Sequence, residues 1–138
     1  MNLKPILTLA LSGLIMGLLS LFGLTRGIEP FLWLFIALGS AWWLAKNVAS
    51  RPFLHGLLAG FLMGIGNSVM QSLFIDSYIA SNPEAAQGLQ QIPGNVSPRF
   101  FVLMVGPIIG TVYGLCLGLL TLLAIKLRKR SSTGPPAS

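Results

Sequence analysis

Residues 56–72 read GLLAGFLMGIGNSVMQS, and residues 106–118 read GPIIGTVYGLCLG. Small residues recur every four positions in both, at Gly56, Gly60, Gly64, Ser68 and Ser72, and at Gly106, Gly110, Gly114 and Gly118. That spacing puts each row on one face of an α-helix. A face stripped of side chains lets a second backbone come close. Inside a bilayer, where water exclusion no longer drives helices together, dispersion and Cα–H contacts across such faces do the holding. Gly13 and Gly17, and Ala37, Ala41 and Ala45, repeat the pattern in shorter form. The rows therefore predict helices packed on small-residue faces within a membrane.

Composition agrees. The 138 residues are 54% hydrophobic and 9% charged, with mean hydropathy +0.79, which leaves too little polar surface to cover a water-soluble globule. Four apolar runs, residues 5–24, 28–45, 52–79 and 99–127, are expected spans: at about 1.5 Å per residue the first, third and fourth cover about 30 Å of hydrocarbon or more, and the second is the shortest. The expected fold class is all-α: an integral membrane four-helix bundle, with residues 1–130 as one domain and residues 131–138 as a disordered cytoplasmic tail. Pro5, Pro30, Pro52 and Pro98 mark the helix starts, and Ser50 and Ser97 are expected N-caps. Trp42 and Trp43 suit an interfacial belt, and Pro107 should kink the last span. Residues 80–97 form the one sizeable loop, with Asn82-Pro83 and Pro93-Gly94 as turns and room for a short helix between them. The first span is expected to be retained, since no small-residue cleavage pattern follows it.

The net charge of +6 would suggest nucleic acid in a soluble protein, but here the basic residues flank the spans. With the N-terminus inside, Lys4, Lys46, Arg51, Lys126, Arg128, Lys129 and Arg130 fall on the inner side and only Arg26 and Arg99 outside. This bias places both termini in the cytoplasm. Glu29, Asp76 and Glu84 all fall outside. Lys126, Arg128, Lys129 and Arg130 form a cluster suited to anionic lipid; no aromatic or groove-reading partners accompany it, so nucleic acid is not an expected partner.

Polar residues inside the third span carry the functional signal. Asn67, Ser68, Gln71 and Ser72 sit near its middle, where an unpaired amide is costly, and Asp76 lies one turn further out. One reading is interhelical hydrogen bonding, with Thr111 or Tyr113 as partners; the other is a path for a solute or ion. Asp76 is expected to reach water or pair with Arg99. The glycine rows likewise have two readings, packing within the chain or a homo-oligomer interface. For catalysis the inventory is thin: His55 is the sole histidine and Cys116 the sole cysteine, on different spans. No enzyme activity, cofactor or metal site is expected.

The string Phe74-Ile75-Asp76-Ser77-Tyr78-Ile79, the Asn82-Pro83-Glu84 loop and the Ser97-Pro98-Arg99-Phe100 start to the last span resemble a class of small four-span bacterial membrane proteins of unknown function. The resemblance implies a multi-pass protein of the inner membrane and says nothing of activity. The expected function is a structural or interaction bundle that binds itself or another membrane protein through its glycine faces. The alternative is a small oligomeric channel or transporter with its polar path along the third span.

Overall fold

The computed structural model describes residues 2–92 and 94–132. They are all-helical, with the elements α1 (Leu3–Leu21), α2 (Glu29–Asn47), α3 (Pro52–Leu73), α4 (Ile75–Ser81), α5 (Pro83–Gln90) and α6 (Pro98–Ser132). Three helices, α1, α3 and α6, are long and apolar enough to cross a membrane. The expected second span, now α2, falls short of that standard: its nineteen residues begin at Glu29-Pro30, end at Lys46-Asn47 and include three tryptophans.

Several boundaries differ from the expected ones for local reasons. The third span does not run unbroken to residue 79, because Phe74, at φ −112° and ψ 40°, interrupts the helix and separates α3 from the short α4. Asp76 therefore does not share a helix with Ser72. Ser50 is not the cap of α3; Arg51 occupies that position in the left-handed region, at φ 50° and ψ 50°, with no side-chain cap bond. Ser97 does cap α6, accepting from the Phe100 N–H at 3.3 Å. The expected tail starts too early, since α6 continues through Ser131 to Ser132; the rest of it, like Pro93 of the expected Pro93-Gly94 turn, lies outside the described residues. The first helix stops at Leu21, short of residue 24, and Gly23 follows at φ +67°. The long loop holds α5 in its middle.

Packing follows the small residues. A Cβ on Gly56 would lie 2.6 Å from the Gly118 Cα, and one on Gly60 or Gly64 would meet the Gly114 or Gly110 backbone well inside van der Waals contact. A Cβ on Gly106 would strike the Ser68 side chain. Each step up α3 is matched by a step down α6, so the pair is antiparallel. The opposite side of α3 receives α1: Gly13 lies on the Met63 backbone and Gly17 on Asn67 and Met70, with both helices running the same way. Helix α2 lies mainly along α6. It turns Ala37, Ser40, Ala41, Leu44 and Ala45 inward.

Ile6, Ala41, Ala59, Met63 and Leu117 form one buried cluster where all four long helices meet, toward the end that carries the start of α1 and the end of α6. The outer faces are apolar, with Leu7, Leu11, Leu18, Ile108, Val112 and Leu119 among the exposed side chains. Patches of that extent are seldom left to water.

At the same end, the Arg128 guanidinium donates to the Ala45 carbonyl at 2.7 Å, satisfying one of the last carbonyls of α2. Arg128→Gln is expected to lower stability by about 1 kcal/mol, as read by steric-trap unfolding in lipid discs. An unchanged unfolding free energy would show that water replaces the contact at no cost.

Candidate functional site

A cavity of about 620 Å³, within the range of small-molecule sites, lies between α2, α3 and α6 at the end that carries α4 and α5. Helix α3 lines it with Gly64, Asn67, Ser68 and Gln71; α2 contributes Glu29 and Trp33, α4 contributes Tyr78, and α6 contributes Phe101 to Tyr113 along one face. Ala85, Gly88 and Leu89 of α5 close it from above. Ile109 of α6 belongs to the lining and is 60% exposed, so the cavity is not closed off there.

The polar groups differ in how well they are partnered. The Gln71 amide donates to the Ser20 hydroxyl of α1 at 3.3 Å, across a fully buried contact. Ser68 donates to the Ile65 carbonyl of its own helix at 3.0 Å. The Asn67 Oδ1 is enclosed by protein and has no hydrogen-bond partner among the described residues. The expected partners of these amides are engaged elsewhere: Thr111 donates to the Pro107 carbonyl at 2.7 Å, and the Tyr113 hydroxyl to the Trp33 carbonyl at 2.9 Å. Of the polar row, Asn67, Ser68 and Gln71 line the cavity, whereas Ser72 and Asp76 do not. Ser72 donates to the Arg99 carbonyl at 3.0 Å, and Asp76 pairs with the Arg99 guanidinium at 3.0 Å on the exposed surface.

The aromatic side of the cavity rests on a local geometry. Glu29 stands in the first turn of α2, where the helix dipole favours a negative charge. Trp33, one turn on, donates its indole N–H to the Glu29 carboxylate at 3.3 Å. The Trp33 ring meets Tyr113 edge to face, with centroids 5.0 Å apart and planes at 71°. Tyr78 of α4 adds a phenol to the lining. Glu29 is the sole charged residue among those described in the lining.

The sequence reading missed Glu29, Trp33 and Tyr78. The i, i+4 spacing of Glu29 and Trp33 was there to be seen, but nothing local places α2 beside α6. Above the cavity, Asn82 donates to the carbonyls of Ser20 at 2.8 Å and Tyr78 at 2.9 Å, tying the α4–α5 junction to the end of α1. His55 is buried at the far end, with Nδ1 3.0 Å from the Arg51 carbonyl, and Cys116 is exposed on α6. Neither lines the cavity, and no group of three or more His, Cys, Asp or Glu among the described residues could hold a metal ion. No protein-family model, curated protein or solved structure matches the chain.

Proposed function

We propose that the chain is a multi-pass protein of the bacterial inner membrane, a four-helix bundle held by a glycine zipper between α3 and α6, that takes up a small solute in its loop-end cavity. The reading that the third span carries a solute path is thereby preferred to a purely structural role. The observation that carries it is the cavity itself, a largely apolar space in which Glu29, Asn67, Ser68 and Gln71 stand in the lining. An apolar pocket with a few polar groups is the usual form of a small-molecule site. The positive-inside bias supports termini in the cytoplasm and the cavity in the outer half of the bilayer. Lys126, Arg128, Lys129 and Arg130 then lie at the inner surface, where anionic lipid attracts them. Self-association would need faces other than the α3 and α6 rows, because those face each other within the chain.

Two results are expected. Asn67→Leu should raise the unfolding free energy by about 1 kcal/mol, whereas Gln71→Leu, which breaks the bond to Ser20, should lower it. In protein carrying Trp42→Phe and Trp43→Phe, neopentylbenzene should shift the emission of Trp33, and Val105→Phe, which fills the cavity, should remove that response. A silent Trp33 would overturn the reading; a loss of stability in Asn67→Leu would show only that its amide is better paired than the geometry gives.

A further inference from the structure

The cavity has one formal charge and a consistent set of surfaces around it. Among the described lining residues, Glu29 supplies a carboxylate and none supplies a lysine, arginine or histidine. One Glu29 oxygen accepts from Trp33, and none of the described residues donates to the other. Trp33, Tyr78, Tyr113 and Phe101 present aromatic rings, whose faces attract cations. The Tyr113 hydroxyl is spent on the Trp33 carbonyl, so that residue offers its ring.

We propose that the cavity takes a monovalent organic cation with an apolar or aromatic body, its charge set against Glu29 and the rings of Trp33 and Tyr113, and its body against Val105 and Ile109. A metal ion fits poorly, because a single carboxylate among aromatic rings gives too few oxygen ligands. A single negative charge suits one positive charge, and it would repel an anion. Ile109, in the lining and 60% exposed, gives the apolar body of such a molecule a surface to rest on. This assignment rests on the cavity being a solute site, as proposed above.

The test uses two probes of nearly one shape, benzyltrimethylammonium and its uncharged carbon counterpart neopentylbenzene. Binding is read from Trp33 emission in lipid discs, on the Trp42→Phe and Trp43→Phe background, at matched concentrations in the bilayer. The cation is expected to bind about tenfold more tightly than the neutral probe, in line with a desolvated cation–π contact beside a carboxylate. Glu29→Gln, which can still accept from Trp33, should erase that preference while neutral binding persists, and the persistence shows that the variant is folded. Equal binding of the two probes, or a preference that survives Glu29→Gln, overturns the cation assignment and leaves the cavity as a solute site. No binding of either probe overturns both.

Discussion

Gly60→Leu is expected to keep α3 and α6 from closing, with the protein failing to reach a cooperatively folded state in lipid discs. A single Cβ at this position already meets the Gly114 backbone, and a backbone cannot turn aside as a flexible side chain can. Overpacking a tight contact with one or two methylenes costs about 1 to 3 kcal/mol, and the isobutyl group adds three carbons more at the same point. The helices must then separate, and the contacts at Gly56 and Gly64 are lost with it, since the three glycines lie on one row. Gly39→Leu is the control. Its Cβ meets nothing within 4 Å, so the same side chain there should leave stability unchanged or raise it by up to about 1 kcal/mol through helix propensity. Steric-trap unfolding of both variants makes the comparison. Equal stability of the two would mean that α3 and α6 do not touch through their glycines.

Asn82→Ala is expected to cost about 2 kcal/mol and to loosen the roof of the cavity. The Asn82 amide nitrogen donates to two carbonyls, one on α1 and one on α4, in a buried position between α4 and α5. Each such bond is worth about 1 kcal/mol net. The larger consequence is local. Helix α5 contributes Ala85, Gly88 and Leu89 to the cavity, has no fully buried residue of its own, and depends on Asn82 for its anchorage. Hydrogen exchange should therefore quicken over residues 83–90 well before it quickens in α3 or α6, as expected of a segment that opens below the global free energy. Uniform exchange across the chain would show that Asn82 has no special hold on α5.

The small-residue rows were legible because a helix has a fixed period: one face follows from spacing alone, and two long rows in one chain imply a close approach of helices. Proline and the Ser97 cap marked α6 for the same reason, since backbone chemistry within four residues settles where a helix starts. The break at Phe74 was not legible. Phe74 and its neighbours carry no proline or glycine, and the interruption appears where α4 turns to meet α1 through Asn82. The cavity was half legible. Asn67, Ser68 and Gln71 stood out as polar residues in an apolar run, but Glu29 and Trp33 belong to a helix whose neighbour is set by tertiary packing. The link between them is the Trp33 carbonyl and the Tyr113 hydroxyl, eighty positions apart in the chain.

The buried cluster of Ile6, Ala41, Ala59, Met63 and Leu117 runs up α3 as far as Met63, next to Gly64 and one turn from Asn67 in the cavity lining. Core and cavity therefore share a wall. A residue that never faces the cavity, such as Met63, still sets where Gly64 and Asn67 stand, so the shape of that space is written partly in the packing beneath it.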